Sequence, residues 1–86
     1  MSVVRNEEIP EMGAFAKAVA WAVKEMTASA GISGSALARR LGRAQSYASV
    51  RLNGRKAWTL DELDRIADMI GTTVDALMSR AASMRE

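Results

Sequence analysis

Four glycines set the rhythm of this 86-residue chain: Gly31, Gly42, Gly54 and Gly71 each follow a stretch whose apolar residues recur at three- and four-residue intervals. That recurrence is the mark of a helix with one buried face, and glycine is the usual residue just past a helix end. The chain is therefore restricted to short helices joined by tight links. Its composition agrees, since aromatic residues make up only 5% while Ala and Met are plentiful, a balance that favours packed helices over sheets. The length allows one domain, with a core that must be small and well filled.

The helices can be placed one by one. Residues 1–11 carry Pro10 and no clear period and read as a flexible N-terminal arm. From Met12 onward Phe15, Val19, Ala22, Val23 and Met26 form one apolar stripe, with Lys17 and Lys24 on the opposite face. Trp21 lies off that stripe, either as an exposed contact or as cover for a core edge. Ser33 is placed to cap a second helix, GSALARRL, whose Leu37, Ala38 and Leu41 share a face. A third helix is predicted from Ala44 to about Leu52 and is closed by Asn53-Gly54. Thr59-Leu60-Asp61-Glu62 has the spacing of a capping box, opening a fourth helix with Leu63, Ile66, Ala67 and Ile70 inward. Thr73 can cap a fifth with Val74, Leu77 and Met78 apolar, which extends into residues 81–86 or frays there. The expectation is a compact all-α, five-helix domain over residues 12–80.

The chain has no Cys and no His. Thiol nucleophiles, disulfides, imidazole bases and the usual zinc ligands are thereby removed. Asp61, Glu62, Asp64 and Asp68 are better explained as a cap and a solvated face than as a metal or acid–base cluster. Neither an enzyme, a cofactor, a metal nor a small-molecule ligand is expected. Trp58 is expected to lie over the third and fourth helices as a core lid, with Met26, Met69 and Met78 filling gaps. No apolar run approaches the ~18–20 residues of a membrane span, and no signal peptide is evident. A cytoplasmic, nucleoid-associated protein is the expectation.

The net charge of +2 conceals a segregation. Between Glu25 and Asp61 there is no acidic residue, yet Arg39, Arg40, Arg43, Arg51, Arg55 and Lys56 all fall there. The remaining six basic residues stand against all ten acidic ones. A basic segment on an otherwise acidic chain suggests an anionic partner for that segment.

Within this segment, Leu37-Ala38, Leu41-Gly42 and Gln45-Ser46-Tyr47 resemble the helix-turn-helix of the phage lambda repressor and Cro (XRE) family. Leu60-Asp61-Glu62-Leu63 with Ile66-Ala67, and Gly71 to Leu77, are similar to that family's fourth and fifth helices, so the resemblance spans Met12 to Arg80. Arg43, Ala44 and Arg51 depart from its pattern, which usually has an apolar residue, a capping Ser or Thr and an apolar residue at these places. Gly34 stands where many relatives carry Gln. The Ala- and Arg-rich style and the RLNG ending resemble regulators of actinobacteria or their phages.

The resemblance implies a lambda-repressor-like fold whose third helix enters the major groove of double-stranded DNA. Gln45 offers the donor and acceptor that match adenine, Ser46 and Ser49 can donate or accept, Val50 can pack on a thymine methyl, and Arg43 can reach guanine. Candidates for phosphate contact are Arg39, Arg40, Arg51, Arg55, Lys56, Ser35 near the second helix's N-terminal amides, and Tyr47 through its hydroxyl. Tyr47 is alternatively half-buried or stacked on Arg51. A homodimer or cooperative assembly on DNA is expected, with Trp21, Met78, Ala81 and Met84 as candidate contacts. The function implied is sequence-specific transcriptional regulation by operator occupancy, of the Cro-like or short immunity-repressor kind, with no second domain for ligand sensing. An antitoxin-like or adaptor protein-interaction module and an excisionase-like architectural DNA binder are the alternatives.

Overall fold

Each of the four glycines turns the chain through a left-handed residue, with φ of 76° at Gly31, 70° at Gly42, 74° at Gly54 and 76° at Gly71. The next amide then reaches back five residues: Ile32 to the Thr27 carbonyl (2.9 Å), Arg43 to Ala38 (2.9 Å), Arg55 to Val50 (2.9 Å) and Thr72 to Ala67 (2.8 Å). This closure satisfies carbonyls that a helix end would leave open, and the backbone it requires is one that glycine enters without a Cβ clash. The same device used four times makes the links short.

A computed structural model describes residues 12–84. It contains α1 (Ala14–Ser29), α2 (Gly34–Leu41), α3 (Gln45–Leu52), α4 (Leu60–Met69) and α5 (Val74–Met84), and no strand among the described residues. The arm expected over residues 1–11 and the last two residues of the chain lie outside the described residues. Helix α5 is continuous through Met84, so the extension reading holds as far as that residue.

The helix starts follow the side chains that cap them. Ser33 Oγ accepts from the Ala36 amide at 3.1 Å, and Thr73 Oγ1 accepts from Ala76 at 3.1 Å. The capping box of α4 is closed both ways, with Glu62 N donating to Thr59 Oγ1 at 3.1 Å and Thr59 N donating to Glu62 Oε1 at 2.9 Å. Helix α3 starts from Ala44, which provides no side-chain cap.

Helices α1 and α5 form the broadest packing pair, with α2 and α3 packed against each other and α4 completing the bundle. Among the described residues, six of the fourteen buried apolar ones are alanines: Ala20, Ala22, Ala38, Ala48, Ala67 and Ala81. Small side chains let the short helices approach closely, and Leu37, Ile66, Leu77 and Val23 fill the space between them. Trp58 is 7% exposed, as a core lid should be, but it lines a groove with Phe15, Val19, Leu63 and Met78 of α1, α4 and α5 and not, as expected, with α3.

The apolar stripe of α1 is shifted from the sequence expectation. Phe15 sits at the rim with 36% exposure, while Ala20 and Thr27 go inside. Thr27 is tolerated there because its hydroxyl donates to the Val23 carbonyl at 2.8 Å. Trp21 is 58% exposed, which resolves its two alternatives in favour of a surface position. Ala81, expected as a dimer contact, is 0% exposed. It faces inward from α5, so its place in a surface contact is withdrawn; the three-residue spacing that suggested it also lies on the helix's buried edge.

Candidate nucleic-acid interface

Helices α2 and α3 are joined by Gly42, Arg43 and Ala44 alone. Leu37, Ala38 and Leu41 anchor α2 in the core, whereas α3 buries only Ala48 and half-buries Leu52. The result is a helix-turn-helix whose second member is largely outside. Gln45, Ser46 and Ser49 are exposed, as is Arg43 just before them, and Val50 is half-buried. These are the five residues expected to read bases, and the fold brings them to one exposed helix and its leading turn.

The flanks of that helix are basic. Arg39 and Arg40 are exposed at the end of α2, and Arg55 and Lys56 are exposed just past α3. Ser35 is exposed in the first turn of α2. No acidic residue interrupts the chain from Met26 to Leu60. Lys24 of α1 also arrives here, its ammonium 3.4 Å from Asn53 Oδ1. Asn53 in turn donates to Ser49 Oγ at 3.4 Å. Neither Lys24 nor Asn53 was singled out for this site from sequence, because helical periodicity gives no register between α1 and the end of α3.

Tyr47 and Arg51 take different roles from the phosphate contacts expected of them. The Tyr47 hydroxyl donates to Glu62 Oε2 on α4. The Arg51 guanidinium lies 3.5 Å from the centroid of the Tyr47 ring, and its Nη1 donates to the Tyr47 carbonyl at 3.2 Å. Arg51 Nε is buried without a hydrogen-bond partner. Arg43 also lies against the ring, 4.9 Å from its centroid. The phosphate assignment of Tyr47 is therefore corrected, because its hydroxyl is engaged inside the protein, and Arg51 is half-buried along the Tyr47 ring and not extended from the surface as a phosphate contact would be. The stacking of Tyr47 on Arg51 expected as one alternative is present.

Glu62 was legible in the sequence as a cap and nothing more. It is buried, and burial pushes its carboxyl upward, but the Thr59 amide, the Tyr47 hydroxyl, the Thr59 side chain and the Arg51 charge together hold it below the ordinary glutamate value. Tyr47 moves the other way. Its hydrogen bond to Glu62 comes first, followed by desolvation and the Glu62 charge, and these outweigh the two arginines to raise it above the ordinary phenol value. The pair thus keeps the phenol as donor and the carboxylate as acceptor.

On the outer side of α1 and α5, Trp21 packs beneath the Lys24 ammonium, which is 5.4 Å from its ring centroid. Trp21, Ala18 and half-buried Met84 line a shallow hollow with Lys17, Glu25 and Arg80. Arg80 donates to both Glu25 oxygens, at 2.8 and 2.9 Å, tying α5 to α1. Met78 lies elsewhere, half-buried in a groove with Phe15, Trp58 and Leu60. The four candidate dimer contacts do not form a single patch.

A helix-turn-helix set in a five-helix all-α bundle is the class that this arrangement defines. The same fold is found in two crystal structures of the clp gene regulator ClgR from Corynebacterium glutamicum. One matches with a TM-score of 0.76 at 24% identity, covering 87% of this chain and 79% of that one. The other gives 0.73 at 24% identity, covering 86% and 94%. At that identity the likeness is one of fold. The BetR domain model matches residues 14–85, and the chain belongs to the BetR domain family. Among the curated proteins, none matches this sequence.

Proposed function

We propose that this chain is a DNA-binding transcription regulator, a binding protein and not an enzyme, that places α3 in the major groove and acts by occupying an operator. The observation that carries the reading is the exposed row Gln45, Ser46 and Ser49 on α3, bounded by exposed Arg39, Arg40, Arg55 and Lys56. Amide and hydroxyl groups of this kind read base edges, and flanking guanidinium and ammonium groups hold phosphates and set register. The fold shared with a clp gene regulator supports the same reading. The motif is taken to be of the phage lambda repressor and Cro kind, and the protein to work at the nucleoid. Two copies on adjacent half-sites, in contact through the Trp21 and Met84 side of α1 and α5, would give the affinity that one short reading helix lacks.

Selection of bound duplexes from a random pool tests this, because a regulator recovers a defined site and a two-fold symmetric site reports the dimer. On that site, Gln45→Ala is expected to weaken binding by about 1–3 kcal/mol and relax preference at one base pair. Arg55→Ala is expected to weaken all sequences alike and lower the salt slope by about one. Equal loss on every duplex for Gln45→Ala removes the base-reading role, and an unchanged slope for Arg55→Ala removes the phosphate role.

A further inference from the structure

Helix α3 carries its exposed face on few internal supports. It is eight residues long, starts without a side-chain cap and buries only Ala48. A helix this short does not hold itself in water, and one buried alanine with a half-buried Leu52 at the far end is a poor lock against rotation of the N-terminal turn about the helix axis. Successive residues are spaced by about 100° around that axis, so a modest roll carries Gln45, Ser46 and Ser49 away from whatever they face together.

Tyr47 is the residue that resists such a roll. Its hydroxyl reaches across to Glu62, which is fixed at both ends of the capping box of α4 and is itself buried. Arg51, one turn further along α3, lies 3.5 Å from the ring centroid and donates to the Tyr47 carbonyl at 3.2 Å. Its Nε is buried with no partner. Burying part of a guanidinium incompletely paired is costly, and the contact it makes in return is the brace on Tyr47. Arg43 and Ala44 offer neither the apolar wedge nor the cap that would otherwise fix the start of α3.

We propose that Tyr47, Arg51 and Glu62 are positioning residues: the Tyr47–Glu62 hydrogen bond, braced by Arg51, fixes the rotation of α3 at which Gln45, Ser46 and Ser49 face the base edges, given that α3 reads DNA as proposed above. They act through α3 and set sequence preference without touching a base.

Tyr47→Phe isolates the hydroxyl, because the ring and its guanidinium contacts remain. In the full-length chain it is expected to lower the ratio of affinity for the best-bound duplex from a random pool to that for random-sequence duplex of equal length. The expected drop is about three- to tenfold, the scale set by one intramolecular hydrogen bond. Random-duplex affinity and the salt slope should stay as in the wild type. Ile66→Val serves as the control, since Ile66 is fully buried on α4 one turn beyond Glu62 and makes none of the network's hydrogen bonds, and its ratio should not move. Glu62→Gln keeps an acceptor and a capping-box residue, so it should retain more of the ratio than Glu62→Ala. Independently of DNA, residual dipolar couplings of the α3 amides, referred to α4, should report a reoriented α3 in Tyr47→Phe and none in Ile66→Val. An unchanged ratio, a ratio lowered equally by Ile66→Val, or unmoved couplings would each overturn the proposal. A wild type with no preference among duplexes would sink the DNA-reading function instead, and the couplings alone would then decide whether Tyr47 orients α3.

Discussion

Helices α2 and α3 are consecutive, each eight residues long, and held in place by opposite means. Helix α2 follows local rules. Ser33 caps its start, Gly42 closes its end at φ 70°, and Leu37, Ala38 and Leu41 fasten it to the core. Helix α3 has no side-chain cap, buries only Ala48, and is tied to α4 by Tyr47 and Glu62. The difference reflects what each helix leaves outside. A helix that presents Gln45, Ser46 and Ser49 outward has little surface left for burial, and in α3 a polar contact to α4 is added to the packing of Ala48 and Leu52.

Leu37 carries the largest expected difference between the two helices. It is fully buried, so Leu37→Ala should cost about 2–5 kcal/mol in chemical denaturation, whereas Gln45→Ala should leave stability within about 0.5 kcal/mol. Equal costs would mean that α3 bears the fold as heavily as α2 does. Next are the caps. Ser33→Ala should destabilise by about 1 kcal/mol. Ala44 already has the extended backbone of a cap residue, with φ −67° and ψ 153°. Ala44→Ser should therefore add about 0.5–1 kcal/mol, measurable as a raised thermal midpoint. No gain would show that the polar network already satisfies what a cap would provide.

The smallest expected effect is on pH dependence. The Glu62 carboxyl is held below its ordinary value in the folded state, so the unfolded chain binds its proton more readily. The stability from this group is present above the unfolded value of about 4.3 and is lost as pH falls through the folded value. Denaturation midpoints measured from pH 7 downward should fall less steeply in Glu62→Gln than in the wild type. Parallel profiles would place the carboxylate outside the linkage.

Much of the bundle was legible because its signals are local. The five helices, the caps at Ser33, Thr59 and Thr73, and the four glycine ends each depend on residues within a few positions of one another. The exposed residues of α3 were legible for the same reason, since a helix with Ala48 inward leaves Gln45, Ser46 and Ser49 outward. The rest was not. Phe15 on the rim, Thr27 in the core and Ala81 facing inward depend on which way α1 and α5 are rotated against each other, and periodicity places a stripe only to within a residue or so.

The number of helices, their starts, the four glycine ends and the concentration of basic residues between Glu25 and Asp61 are all readable from the order of the residues. These follow from short-range sterics, capping hydrogen bonds and counting charges. The meeting of Tyr47 with Glu62 was settled only by the packing of α3 against α4, whereas Tyr47 and Arg51 stand one turn apart on a single helix, and their contact was one of the sequence alternatives. Both looked like phosphate ligands on a basic helix; the Tyr47 hydroxyl instead meets a carboxylate fifteen residues further on, and the Arg51 guanidinium lies on the Tyr47 ring. No periodic pattern connects two side chains on different helices. Their meeting depends on the angle at which α3 leaves Gly42 and on where the connection from Asn53 to Thr59 sets down α4.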